Sequence, residues 1–146
     1  MIQRIQTLFL LVAAGLTLSM AFCNMSITPV STLADGTLEQ TALRYVNDIT
    51  SISLILMSFA LTMVTIFNYR NRIRQIRLCN INSILLLGFQ IYLAAKFFGR
   101  PEDHFFTLTA VFPIVSAILC FIAMRYIARD EALVMSASRL RGRHRK

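Results

Sequence analysis

NYRNRIRQIRLCNIN, residues Asn68 to Asn82, lies between two long apolar runs and carries Arg70, Arg72, Arg74 and Arg77. An arginine at the centre of a bilayer costs about 2.5–3.5 kcal/mol on insertion scales. The stretch therefore belongs in water while the runs flanking it belong in lipid. It is read as a turn between two membrane spans, and the side on which it sits sets the direction of every other segment.

Working outward, the whole composition agrees with that reading. Of 146 residues 56% are hydrophobic and 15% charged, against about 25% charged in a soluble domain. The net charge of +8 would suggest a nucleic-acid binder in a soluble chain, but in a membrane chain its distribution over the two sides carries the information. Cys23, Cys79 and Cys120 form no C-x-x-C pair and have no histidine at ligand spacing. Free thiols are expected, with neither a zinc site nor a dithiol redox motif.

Four apolar runs are long enough to span, since a hydrocarbon core of about 30 Å needs roughly 17–25 helical residues. They are residues 5–23, 49–69, 78–98 and 105–124. The competing reading of the first is a cleaved signal peptide, for which Ser19, Met20 and Ala21 supply small residues near a cleavage site. A thin basic start and a long apolar run favour the uncleaved span. Residues 24–48 are the sizeable polar loop, with two local readings. Ser26 to Leu33 pairs with Thr37 to Tyr45 as a hairpin around Asp35-Gly36, or Thr37 and Gln40 form a capping box opening a helix with Leu38, Ala42, Tyr45 and Ile49 on one face. The helix is preferred for the second half.

Within the second span Ser51, Ser58, Thr62 and Thr65 share one narrow helical arc, a small polar face suited to close helix packing. In the third, Asn82 and Gln90 carry amides that lipid cannot satisfy. Gln90 is expected to face the other helices and bond a hydroxyl of the second span. Pro113 in the fourth should kink the helix or mark a short irregular start before it. Residues 129–146 form a basic tail, amphipathic and helical to about Arg141, ending in RLRGRHRK. The fold class expected is all-α: a four-helix transmembrane bundle, residues 1–128, with short connections and that tail.

With four spans, one side receives Arg4, the four turn arginines, Arg125, Arg129, Arg139, Arg141, Arg143, Arg145 and Lys146 against only Asp130 and Glu131. The other receives Arg44, Lys96 and Arg100 against Asp35, Glu39, Asp48, Glu102 and Asp103. By the positive-inside rule both termini and the turn are cytoplasmic. No acid lies inside a span, which counts against a proton-coupled transporter. His104 and His144 fall outside the apolar core on opposite sides, which leaves no pair of intramembrane histidines for haem. No histidine or acid stands beside a serine at a plausible depth for nucleophilic catalysis. No enzyme activity and no cofactor are expected.

Three stretches carry a resemblance: MIQRIQTLFL at the start; Asn71, Arg72, Gln75, Arg77, Leu78 and Cys79 in the turn; and Asp130-Glu131, Leu133-Val134, Ser136 and Ser138-Arg139-Leu140-Arg141 in the tail. By these the chain resembles a family of four-span inner-membrane proteins of Bacteroidetes described as domain of unknown function 4293. The resemblance implies a bacterial inner-membrane location and an uncleaved first span, and brings no activity with it.

The functional expectation is a non-enzymatic accessory or assembly subunit whose basic cytoplasmic face meets anionic lipid, a larger membrane-protein partner or another copy. Its candidate contacts are Asn71, Arg72, Arg74, Gln75, Arg77, Arg139, Arg141 and Arg143, with the tail helix held flat on the membrane by its charges. Ser58, Thr62, Asn82 and Gln90 are the candidate interhelical polar residues. The alternative is a small oligomeric transporter or channel lined by those hydroxyls and Gln90. Nucleic acid is disfavoured, because no aromatic residues for base stacking interleave the tail cations.

Overall fold

Each apolar run becomes a helix: α1 (Gln3–Met20), α2 (Ile49–Phe67), α3 (Arg72–Phe98) and α4 (Phe112–Arg143). The structure, a computed structural model, describes residues 3–27, 31–32, 38–39, 42–99 and 105–143, with side chains over 5–27, 42–99 and 107–136. Ile49–Phe67, Arg72–Phe98 and Leu108–Ser136 are long and apolar enough to cross a membrane, and a shorter apolar helix covers Ile5–Met20. The architecture is helical, as the hydropathy pattern requires.

The helices pack in a ring. α1 lies against α2 and α4, and α3 lies against α2 and α4, with the α3–α4 and α1–α4 seams the most extensive. Small residues make those seams close. Ala13, Ala14, Ser116, Ala117, Cys120 and Ala123 are all buried, and Ser116 Oγ reaches the Ala13 carbonyl at 3.5 Å. In lipid, where burying apolar surface gives no net drive, such close backbone approach is the main source of helix association. Leu10, Leu86 and Ile127 complete this half of the core, while Met20, Met25, Tyr45, Ile55, Phe89 and Leu93 fill the other.

The second helix starts where Asp48 caps it. Its carboxylate accepts from Ser51 N at 3.3 Å and from Ser51 Oγ at 2.6 Å, satisfying a backbone donor that has no intrahelical partner. The buried positions of α2, Ser51, Ile55, Ser58, Thr62 and Thr65, are the hydroxyl arc read from the sequence. α2 then yields to a turn much tighter than the fifteen-residue stretch suggested. Asn68 N bonds Val64 O, Asn71 N bonds Asn68 O at 3.1 Å, and α3 opens at Arg72 instead of Leu78. The reason is periodicity: Gln75, Cys79, Asn82 and Leu86 are buried along one face, so Arg72, Arg74 and Arg77 are already helical, on the other faces, while Arg70 stays in the turn.

The polar loop is where the preferred reading fails. Its second half is extended, and the hairpin alternative holds in its place. β1 (Asn24–Ile27) pairs antiparallel with β4 (Ala42–Arg44), and β2 (Ser31–Thr32) pairs with β3 (Leu38–Glu39). Asp35, Gly36, Thr37 and Gln40, the proposed turn and capping box, lie outside the described residues. A third strand, β5 (Phe105–Phe106), adds to the far edge of β1. Local helical preference loses because pairing on both sides of β1 and the anchoring of Tyr45 are tertiary gains that a lone helical turn cannot match. Tyr45, in a 3-10 turn after β4 (Tyr45–Asn47), is fully buried and meets the edge of Phe89 with centroids 6.5 Å apart.

The fourth run does not enter its helix at Phe105. A 3-10 turn (Leu108–Val111) follows β5, and α4 begins at Phe112. Pro113 thus falls in the first helical turn, where its missing N–H has no partner to lose. At the other end α4 passes unbroken through residue 129 to Arg143. The tail is a continuation of the fourth helix, not a separate one laid flat.

Candidate functional site

The arginine end is built by the α2–α3 turn and the later part of α4. Arg72, in the first turn of α3, places Nη1 3.1 Å from Asp130 Oδ2 and 3.8 Å from Glu131 Oε2. All three side chains are about a quarter exposed, with relative accessibilities of 27%, 20% and 24%. Both acids thus meet a single arginine. Asn71 caps α3 without a side-chain bond to the helix. Turned so that its oxygen faces Arg74, its amide accepts from the Arg74 guanidinium, with Nε at 3.3 Å.

Arg70, Asn71, Ile73 and Arg74, with Glu131 and Val134 from α4, line a groove of about 350 Å³ over the Arg72 pair. Arg70, Asn71, Arg74 and Arg77 are exposed. Gln75 is not: at 5% exposure it belongs to the interior and leaves the list of surface contacts. Arg72 likewise serves the protein's own α4 first. Arg139, Arg141 and Arg143 fall on the final turns of α4, where only the backbone course is described.

The interhelical amide is Asn82. Ser58 Oγ donates to Asn82 Oδ1 at 2.8 Å, and Asn82 Nδ2 donates to Thr62 Oγ1 at 3.0 Å and approaches Cys120 Sγ at 3.4 Å. One residue on α3 thereby ties α2 to α4. Thr62 and Thr65 return their protons to the Ser58 and Leu61 carbonyls at 2.8 and 2.7 Å, so the hydroxyl arc is consumed internally. Gln90 does not join it. Its Oε1 is buried with no hydrogen-bond partner, and the residue lines a small apolar groove with Leu93, Phe97 and Ala110. Seen along α3, Asn82 lies opposite the middle of α2, whereas Gln90 lies about two turns further on, toward the end where Tyr92 meets Asp48.

A polar cluster at the sheet end was not foreseen. Asp48 Oδ2, besides capping α2, accepts from Tyr92 Oη at 2.8 Å, and Lys96 Nζ stands 3.4 Å from Oδ1. Lys96 also sits over the Tyr92 ring, 5.4 Å from its centroid. Partial burial alone would raise the Asp48 pKa. The bonds from Ser51 and Tyr92 and the Lys96 charge outweigh it and hold the carboxyl below its ordinary value. Tyr45 Oη pairs with Thr109 Oγ1 at 3.5 Å, and Thr109 donates to the Asn24 carbonyl at 3.1 Å. Burial is the main reason the Tyr45 phenol is pushed up. The available signals were the Asp48/Ser51 capping spacing and Tyr92 and Lys96 one turn apart.

Cys23, Cys79 and Cys120 are free thiols, the last two buried. No group of three or more His, Cys, Asp or Glu side chains able to hold a metal ion occurs among the described residues.

No curated protein and no solved structure matches the chain. The model of a family described as a domain of unknown function (DUF4293) matches residues 2–140, nearly its full length. The chain belongs to that family.

Proposed function

We propose that the protein is a small, non-enzymatic integral membrane subunit of the bacterial inner membrane that docks a larger partner on its arginine end. In this reading all four helices span, both termini and the α2–α3 turn are cytoplasmic, and α1 is retained. Three helices with the length and apolarity to cross a membrane support the location. The burial of Leu10, Ala13, Ala14 and Thr17 against the other helices supports the retention of α1, whose 18 residues reach about 27 Å.

One observation carries the docking role. At the arginine end Asp130 and Glu131 both lie beside Arg72, at 3.1 and 3.8 Å, and the exposed Arg70 and Arg74 border an open groove in which Glu131 is the acid among the described lining residues. An acidic surface of a partner complements that groove. The channel reading loses support because the Ser58 hydroxyl is bonded to Asn82 and the Thr62 hydroxyl to the Ser58 carbonyl, so neither is free to line a path.

Crosslinking in native membranes, followed by identification of what is captured, tests the proposal. A discrete partner that is lost in Arg70→Glu/Arg74→Glu supports it, and capture unchanged by that charge reversal counts against it. Orientation has its own test. Arg44→Cys, in a background lacking the native cysteines, should be labelled by an impermeant thiol reagent in cells whose outer membrane has been made permeable. Protection until the inner membrane is lysed would reverse the topology.

A further inference from the structure

Arg125 and Arg129 are a second basic feature of α4, separate from the turn groove and on a different side of the helix. The Arg72–Asp130 pair fixes their depth. It places Asp130 level with the first turn of α3, so the adjacent Arg129 stands one turn beyond Arg125, where the apolar part of α4 ends. Arg125 lies one turn deeper, about 6 Å along the axis. Both are exposed, and among the described residues neither has an ion pair. Arg125 rests over the Phe121 ring, 5.5 Å from its centroid.

Between them is a place for something to sit. Phe121, Ile122, Arg125, Tyr126, Ala128 and Arg129, all on α4, border a shallow, open groove of about 740 Å³. Ala128 provides the hollow, being the small residue on the same face as Phe121, Arg125 and Arg129. The rim is basic and the floor apolar, and no acid lines it. Tyr126 is half-exposed and held in place by stacking on Phe9 of α1, centroids 6.0 Å apart and planes 11° from parallel. An aromatic residue with a polar tip beside the end of an apolar helix run marks a membrane–water boundary. Asp130 lines a neighbouring groove together with Arg129 but pairs with Arg72 at 3.1 Å, and no ion pair to Arg129 occurs among the described residues.

We infer that this groove binds one anionic phospholipid: Arg125 and Arg129 hold the headgroup phosphate by charge-assisted hydrogen bonds, and an acyl chain runs along Phe121 and Ile122. Two forked guanidinium groups one turn apart suit a phosphate better than a point charge would. The apolar floor selects a lipid over free phosphate. The inference rests on the membrane reading above and adds a ligand class and a site to it.

The test uses the full-length protein purified in detergent, with phosphatidylglycerol as the probe and native mass spectrometry as the readout. Wild type should keep phosphatidylglycerol in clear preference to phosphatidylethanolamine, and millimolar inorganic phosphate should not displace it. Arg125→Gln/Arg129→Gln should bind it about thirtyfold more weakly, given the contribution of each cation near an anionic surface. Arg70→Gln, which removes a charge from the same end outside this groove, should change binding less than twofold. Equal retention by the double variant, an equal loss in Arg70→Gln, or displacement by phosphate would each overturn the site. To separate loss of binding from loss of fold, the thermal unfolding of Arg125→Gln/Arg129→Gln is compared with wild type, and Ala128→Phe fills the hollow without touching charge. Retained binding in a folded Ala128→Phe also refutes the site. Extraction of membranes with alkaline carbonate separates the two levels of the proposal: release of the protein defeats the membrane reading itself, whereas retention without lipid preference defeats only this inference.

Discussion

Two amides on α3 show how differently a polar residue in an apolar helix can be placed. Asn82 completes three contacts and joins three helices, while the Gln90 carbonyl completes none. Interhelical hydrogen bonds in membranes contribute about 0.6 kcal/mol on average and up to about 1.7, and a bond to two partners sits toward the upper part of that range. Asn82→Leu should therefore lower thermal stability in detergent by about 1 kcal/mol, and Gln90→Leu should leave it within about 0.5 kcal/mol of wild type or raise it. A reversed order of the two variants would show that Gln90, not Asn82, ties the helices. From the sequence both amides were visible and both were assigned to the interior. Which one meets the α2 hydroxyls depends on the relative heights of α2 and α3, and those heights follow from a turn of only a few residues after Phe67, a length the arginine-rich composition concealed.

At the scale of the element, the ends of the helices decide more than their middles. Asp48 serves a cap, a tyrosine and a lysine at once. Its carboxyl is held below its ordinary pKa, so the stabilisation it supplies is complete above the unfolded-state value, near pH 4, and is lost as pH falls through the lower folded value. Asp48→Asn keeps a competent cap but has no charge to lose. Its thermal stability should be lower than wild type at pH 7, by less than about 1 kcal/mol for a partly exposed group, and should fall less steeply below about pH 4. Parallel acid limbs for the two proteins would remove Asp48 from the account. At the opposite end Arg72→Gln strands Asp130 and Glu131. Amide exchange should quicken in α4 beyond Asp130 while residues 112–124 keep their protection, and uniform loosening would mean that Arg72 holds the whole molecule. Along the α1–α4 seam, Ala13→Leu forces a larger side chain into a position that is 1% exposed and should cost about 1–3 kcal/mol by overpacking.

Taken whole, the molecule follows its apolar runs closely and its polar segments loosely. The four helices were legible because lipid-length hydropathy and the exclusion of arginine from the bilayer are strong, local signals. The buried arc of Ser51, Ser58, Thr62 and Thr65 was legible for the same reason of periodicity. The hairpin was open to the sequence as one of two readings of the loop, but its third strand was not legible, since Phe105 and Phe106 look like the start of a span until β1, distant in the sequence, is present to pair with them. The internal use of Arg72 was within reach, because two lone acids among so many cations invite a partner. The continuity of α4 was hidden by the change from apolar to charged composition at Arg125, which alters the solvent around a helix without ending it. Spin labels at positions 121 and 139 should report a separation of about 27 Å with a narrow distribution. A short, broad distance would restore a tail folded against the membrane.

That unbroken helix also works as a ruler. From Arg125, where the apolar part ends, α4 continues about 27 Å to Arg143, whereas electrostatic influence decays over about 8 Å at physiological salt. On the four-span reading the terminal arginines are carried beyond the reach of the membrane's own potential. On that reading they answer to what approaches from solution at that standoff and not to the lipid surface. On the same reading a single helix sorts its cations by distance, with Arg125 and Arg129 near the bilayer and the far ones in solution.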